Sequence, residues 1–216
     1  MSESSTLVTA AHFEYLAART RGDDAFLKQL KDAAREAGLP QISIAPEQAS
    51  LMQILLRASG AREVVEVGTL GGYSAIAMAR ALPAGGRVRT VEYSKKHADF
   101  ARAWIAKSDV FDRVMVYEGK GVDVLPTFAN DSADAAFLDA DKASYPQYLA
   151  ESLRIVRKGG LVMVDNAFAF GQLLDPHPKD REVAAVKAFN DSMAKETRLQ
   201  SVIVPIGDGV WVGVKL

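Results

Sequence analysis

Short apolar runs alternate with amphipathic stretches along most of the chain. Five of these runs predict strands, at residues 64–67, 88–91, 114–117, 135–138 and 161–164. The stretches that follow them predict helices near residues 73–81, 95–106, 145–156 and 182–194, with a short helical piece before Pro126. These runs are short and do not alternate between apolar and polar residues, which is typical of strands covered on both faces. The repetition predicts an α/β fold built on a doubly wound, mostly parallel sheet.

The two ends of the chain have other patterns. Residues up to about Gly38 are helical in pattern, and Pro46 suits the first turn of a further helix. Near the other end, residues 201–205 and 210–214 are joined by Ile206-Gly207-Asp208-Gly209, whose Asp-Gly step is typical of a hairpin turn. We therefore expect one domain over residues 1–216, with a helical N-terminal extension (1–43) and a core (44–216) that ends in an antiparallel hairpin.

Composition narrows the possible partners. The net charge of −1 gives no basic field for nucleic acid or an anionic membrane, and no apolar stretch is long enough to span a bilayer. The 216 residues include no cysteine, which excludes disulfides, thiolate metal sites and cysteine nucleophiles. Residues 1–5 lack the basic and apolar regions of a signal peptide. We expect a cytoplasmic enzyme.

The first two predicted strands end in candidate cofactor residues. Glu66 lies inside the first strand, and a glycine turn with the spacing G-x-x-G-G starts at Gly68. This spacing differs from the dinucleotide fingerprint G-x-G-x-x-G. The buried carboxylate needs a partner, either a cationic ligand or a salt bridge. Glu92 ends the second strand, where an acid either accepts both ribose hydroxyls of a nucleoside or caps a helix.

The last two predicted parallel strands end in candidate metal ligands. Asp139, Asp165 and Asn166 offer two carboxylates and one amide oxygen, a set that suits Mg²⁺, Mn²⁺ or Ca²⁺. The other interpretation is that they only cap helices and loops. Lys142 follows Asp139 by three residues and is a candidate general base, unless it is an exposed surface lysine. Because ligands bind beyond the carboxyl ends of parallel strands, all these residues should share one rim.

Four motifs together carry a family resemblance: Val65-Glu66-Val67-Gly68 with Gly72-Tyr73-Ser74, Leu138-Asp139-Ala140-Asp141-Lys142 with Tyr145, Val164-Asp165-Asn166, and Pro205-Ile206-Gly207-Asp208-Gly209. The chain resembles the class I S-adenosylmethionine-dependent methyltransferases, which have a Rossmann-like fold. More narrowly, it resembles the cation-dependent O-methyltransferases that include catechol and caffeoyl-CoA O-methyltransferases. The resemblance runs from about Ile44 to Leu216.

The resemblance implies a role for each candidate residue. The implied cofactor is S-adenosylmethionine. Glu66 and Gly68 line the site of its methionine part, and Tyr73 and Ser74 flank the methionine carboxylate. Glu92 holds its ribose, and Gly119 follows the third strand on the adenine side. Asp139 faces both the cofactor and a metal ion that Asp165 and Asn166 also bind, and Lys142 is the base.

The resemblance also implies a small aromatic acceptor, either a catechol or a hydroxycinnamoyl ester, and a homodimer. Two other functions stay open at this point. One is a nicotinamide-dependent oxidoreductase on a similar sheet, which the glycine spacing and the Asp165-Asn166 pair disfavour. The other is a non-catalytic, degenerate fold used for oligomerisation.

Overall fold

The computed structural model describes residues 8–216, so the N-terminal segment at residues 1–5 lies outside the described residues. The helices are α1 (Ala10–Ala17), α2 (Ala25–Glu36), α3 (Pro46–Ala58), α4 (Tyr73–Ala81), α5 (Lys95–Ile105), α6 (Gly121–Val124), α7 (Tyr145–Ile155) and α8 (Arg181–Met193). The strands are β1 (Glu63–Val67), β2 (Arg87–Glu92), β3 (Val114–Glu118), β4 (Ala133–Leu138), β5 (Val156–Val164), β6 (Leu199–Val204) and β7 (Val210–Lys215).

The seven strands form one sheet in the order β3-β2-β1-β4-β5-β7-β6. Strands β1 to β5 are parallel, and β7 pairs antiparallel with both β5 and β6. The predicted doubly wound sheet and its antiparallel hairpin are therefore confirmed. Because β2 and β3 lie on one side of β1 while β4 and β5 lie on the other, the chain reverses its direction of growth between β1 and β4. A crevice at such a reversal is the usual ligand site of this architecture.

Both faces of the sheet are covered, which explains why the apolar runs do not alternate with polar residues. Phe137 points to the face packed by α3 and α4, whereas the next residue, Leu138, points to the face packed by α7. Val64 and Val65 divide in the same way between the two faces. All positions of β1 and β4 except Glu63 and Asp134 are thus buried, so the central strands show no period-two alternation of polar residues.

Strand β5 begins much earlier than the apolar pattern predicted. It starts at Val156 rather than near residue 161, and the pattern missed this start because Arg157, Lys158 and two glycines follow it. The register with β4 is irregular between Ala133 and Ala135, where this polar half begins to pair. Backbone hydrogen bonds extend the strand without any hydrophobic signal in the sequence.

The helices before the sheet differ in how firmly they are anchored. α2 begins at an Asp24 cap, which accepts a hydrogen bond from the Leu27 amide, and it buries Leu27, Leu30 and Ala34. α1 buries none of its residues. Within the described residues, no helix has the length and apolar character needed to cross a membrane.

Phe137 tests the packing of the central strand. Its side chain is fully buried in β4, so Phe137→Ala should lower the free energy of unfolding by about 3–5 kcal/mol through lost contacts and a residual cavity. Phe111→Ala is the matched control, because Phe111 is 63% exposed and its removal should cost less than about 0.5 kcal/mol. Urea denaturation measures both, and equal costs would contradict the assigned core.

Candidate active site

A cavity of about 840 Å³ opens at the carboxyl ends of the parallel strands, a volume in the range of small-molecule sites. Most of the predicted site residues line it: Gly68, Tyr73, Ser74, Glu92, Gly119, Asp139, Lys142 and Asn166. Glu66 and Asp165 lie behind the wall, both buried. The topology therefore brings residues that are distant in sequence to one rim.

Backbone hydrogen bonds set the order of residues along this rim. The amide of Gly119 donates to the Glu92 carbonyl, and the amide of Gly68 donates to the neighbouring Val91 carbonyl. The amide of Asp139 donates to Val67, and the amide of Asp165 to Leu138. The cofactor candidates thus occupy the β3-to-β1 side of the crevice, and the metal candidates occupy the β4-to-β5 side.

The backbone of the glycine turn after β1 lies against the backbone that follows β4. Gly68 has φ +102°, and a Cβ atom there would overlap the Asp139 carbonyl oxygen. Gly72, at φ +89°, is the N-cap of α4, so Tyr73 and Ser74 form the first turn of that helix. Free amides at a helix N-terminus favour an anion, such as a carboxylate. The hydroxyl of Tyr73 is already engaged, because it donates to Asp23 at 2.6 Å.

Glu92 braces the glycine turn and still lines the cavity. Its Oε2 accepts from the Leu70 amide and its Oε1 from the Ser94 amide, each at 2.8 Å. The helix-capping alternative for Glu92 is wrong, because Ser94 is the N-cap of α5. A carboxylate has about four acceptor positions, so two stay available for hydroxyl donors.

Glu66 is fully buried below the glycine turn. Thr90 donates to its Oε2, whereas Oε1 has no hydrogen-bond partner of normal geometry in the described chain. Among residues 8–216, no Lys, Arg or His side chain forms an ion pair with Glu66. Within this part of the chain, the salt-bridge interpretation of Glu66 is therefore wrong. Burial raises the pKa of this carboxyl to about 7, and the hydroxyls of Ser74 and Thr90 limit the rise.

Lys142 lies in a buried polar cluster at the other end of the rim. It is 5% exposed, so the exposed-lysine alternative is wrong. Its Nζ donates to Asp139 Oδ1 at 3.0 Å and to the Tyr145 hydroxyl at 2.7 Å. Burial, reinforced by the charge of Asp139, raises the pKa of Tyr145 well above its ordinary value. Tyr145 therefore stays a neutral phenol.

Asp165 is held by a residue that the sequence did not identify. Gln48, in the first turn of α3, is 2% exposed and donates from Nε2 to Asp165 Oδ1 at 2.6 Å. Burial, followed by the charge of Asp139, raises the pKa of the Asp165 carboxyl above its ordinary value. The two partners are 117 residues apart, so no local pattern could have linked them.

The predicted metal ligands form a set of two carboxylates and one amide. Within residues 8–216, no group of three or more His, Cys, Asp or Glu side chains is arranged to hold a metal ion. The donor chemistry nevertheless fits a hard divalent cation, because the charge of Asp139 disfavours the charge of Asp165 and a cation would offset that. Asp141 has a different partner, since it accepts from the Tyr148 hydroxyl at 2.5 Å.

Comparison with known proteins gives consistent matches. A family profile described as O-methyltransferase matches residues 17–216. A catechol O-methyltransferase of Niastella koreensis is 38% identical over 196 residues, which are 89% of this chain and 86% of that protein. A catechol O-methyltransferase of Mycobacterium tuberculosis is 36% identical over 196 residues, covering 90% of this chain and 89% of that protein.

A solved structure supports the same relationship. The O-methyltransferase of Bacillus cereus in complex with SAH superposes with a TM-score of 0.86 at 33% identity, covering 95% of this chain and 97% of that one. The nicotinamide-dependent oxidoreductase that the sequence left open gains no support from these comparisons.

Glu66 predicts a pH dependence of stability in the ligand-free protein. Its pKa rises from 4.5 to about 7 on folding, so the folded state binds the proton more tightly, and stability falls as pH rises between these values. Glu66→Gln should remove this loss, which is on the order of 3 kcal/mol. Urea denaturation should show the variant close to the wild type at pH 5 and more stable at pH 8.

Glu118→Gln, at the exposed end of β3, is the control for removing one carboxylate. A difference between Glu66→Gln and the wild type that is the same at pH 5 and pH 8 would contradict the raised pKa.

Proposed function

Because the chain belongs to the O-methyltransferase family, we propose that it methylates one hydroxyl of a catechol-type acceptor with the help of a divalent cation. It is an S-adenosylmethionine-dependent O-methyltransferase. One observation carries the proposal of a metal and a catechol-type acceptor. The same cavity is lined at one end by Gly68 and Glu92 and at the other by Asp139, Lys142 and Asn166. One end suits a nucleoside and an amino acid, and the other suits a metal and a phenol.

The chain's own residues suit the binding of S-adenosylmethionine, which supplies an electrophilic methyl group. The first turn of α4 offers amides for the carboxylate, and Glu92 keeps acceptor capacity for the ribose hydroxyls. Glu66 places an unpartnered carboxylate oxygen beneath the same turn. A cationic group of the ligand would favour the ionised form of Glu66.

Asp139, Asp165 and Asn166 would hold the divalent cation. Such an ion stabilises the anion of a bound phenol. Three protein ligands leave room for two neighbouring acceptor oxygens, which favours a vicinal diol. The names of the Niastella and Mycobacterium relatives also favour a catechol over a hydroxycinnamoyl ester.

Lys142 is suited to remove the acceptor proton. A neutral amine at Nζ accepts the proton, and the resulting ammonium donates to Asp139 Oδ1 and to the Tyr145 hydroxyl. The protein thus already surrounds the charged product of this transfer with acceptors. Phe170 lines the cavity with its ring centroid 5.9 Å from Lys142 Nζ, so an aromatic acceptor has an apolar wall near the base.

A methyl-transfer assay on paired acceptors tests the proposal. A catechol should be methylated faster than the matching monophenol, because only the diol can chelate, and a chelator should abolish the reaction until Mg²⁺ is restored. Asp165→Ala should lose metal-dependent turnover but keep cofactor binding nearly intact in calorimetry, because Asp165 lies at the β5 side of the rim. Equal turnover of diol and monophenol, insensitive to chelator, would refute the metal assignment.

Substitution of Lys142 tests the base. Lys142→Ala should lower kcat by roughly 10²–10⁴-fold, the usual contribution of a positioned acid or base. Lys142→Arg should be comparably impaired, because a guanidinium keeps the charge but does not give up its proton. The deficit of both variants should narrow at high pH, where a phenol with a pKa of about 10 ionises unaided. Full activity of Lys142→Arg would exclude Lys142 as the base.

We also propose a homodimer in which the first helix contacts the partner. α1 exposes Tyr15 at 59% and Leu16 at 42%, and none of its residues is fully buried within its own chain. Light scattering at micromolar concentration should give the mass of two chains, and Leu16→Glu should shift it toward one chain, since it places a charge in the apolar contact. A wild-type mass of one chain would refute the dimer.

A further inference from the structure

The turn between β6 and β7 lies beside the metal-binding end of the cavity. It contains Gly207-Asp208-Gly209, a motif that stands out in the sequence but has no role in the chemistry above. β7 pairs antiparallel with β5, with Trp211 opposite Val164. This register places the turn next to the loop that follows β5, which begins with Asp165 and Asn166.

The Asp208 carboxylate collects hydrogen bonds from that loop. Its Oδ2 accepts from the Asn166 side-chain Nδ2 at 3.1 Å and from the Phe170 amide at 2.8 Å. Its Oδ1 accepts from the Gly171 amide at 3.2 Å, and its own carbonyl accepts from the Phe168 amide at 2.8 Å. One residue of the hairpin therefore holds four positions of the loop.

The loop needs such support because its backbone is unusual. Asn166, Ala169 and Phe170 have φ values of +61°, +52° and +57°, which L-residues with side chains rarely adopt. Conformations of this kind persist only where the surroundings hold them in place. The contacts of Asp208 at Asn166 and Phe170 supply that restraint.

The contact with Asn166 also decides which way its amide points. A carboxylate has only acceptors, so it can pair with the NH₂ group of Asn166 but not with the carbonyl oxygen. With Nδ2 bound to Asp208, Oδ1 occupies the opposite branch of the planar amide, and Asn166 lines the cavity. An amide oxygen is a ligand for a hard cation, whereas an amide NH₂ is not.

We propose that Asp208 is a positioning residue that selects the amide orientation of Asn166 and so presents its oxygen to the metal site. This inference rests on the proposed function, because it concerns the same cation. The glycines on either side let the turn approach the site. A Cβ at Gly207 would overlap Gln48, the residue that holds Asp165, and the Gly209 carbonyl accepts from the Ala167 amide at 2.9 Å.

A double-mutant cycle on Mn²⁺ binding tests the proposal without activity. Wild type, D208A, N166A and D208A/N166A are titrated with Mn²⁺ in the absence of cofactor and acceptor. D208A removes the acceptor of the Asn166 NH₂ group, so the amide is no longer held with its oxygen toward the metal. Affinity should fall by about 10–100-fold, the usual effect of losing a residue that orients a metal ligand.

The N166A background separates orientation from every other effect. Asp139 and Asp165 remain there as candidate ligands, but no amide is left to orient, so D208A should leave the Mn²⁺ affinity of N166A unchanged. If Asp208 acted only through its charge or through loop stability, the loss would be the same in both backgrounds. A loss of equal size in both backgrounds, or no loss with Asn166 present, therefore overturns the proposal.

D134A is the matched control, because Asp134 also accepts two backbone amides, from Arg62 and Glu63, but at the opposite end of the sheet. It should lower thermal stability and leave Mn²⁺ affinity unchanged. If D208A does not fold, D208S, which also lacks the carboxylate, takes its place in both backgrounds, and the same outcomes decide. A wild-type chain that binds no Mn²⁺ overturns the proposed function and this inference together.

Discussion

The close approach of β1 and β4 at their carboxyl ends is the constraint on which the site depends. At this point the sheet grows in both directions, and the backbone of Gly68 packs against the carbonyl of Asp139 with no room for a side chain. This contact joins the cofactor half of the rim to the metal half. It also explains why a glycine must stand directly after β1, whose last four residues are buried.

The electrostatics of the rim are those of a site that is incomplete without its ligands. Glu66 and Asp165 are buried carboxyls whose pKa values are raised, chiefly because burial disfavours their charge. The charge of Lys142 favours an ionised Asp165, but the hydrogen bonds of Lys142 go to Asp139 and Tyr145 instead. Buried acids are costly unless they are compensated. Bound cations of the proposed kinds would supply that compensation.

Elements from both ends of the chain support the acidic half of the rim. Gln48 comes from α3, before the first strand, and holds Asp165. Asp208 comes from the last hairpin and holds Asn166. The parallel strands therefore place the ligand residues, and the flanking elements orient their side chains. This division of labour is common, since metal ligands are usually oriented by a further layer of hydrogen bonds.

Much of this was determined by the sequence alone. The apolar runs and glycine turns gave the α/β sheet, and the acids at strand ends predicted the rim, because parallel strands necessarily bring their carboxyl ends to one edge. The tertiary structure alone decided which candidates line the cavity, that Lys142 is buried, and that Glu66 has one oxygen without a partner. It also supplied Gln48 and the role of Asp208. The contacts of Gln48 and Asp208 join side chains that are more than 40 residues apart in the chain. Local pattern carries the period of each element, whereas burial and long-range pairing exist only after the elements have packed.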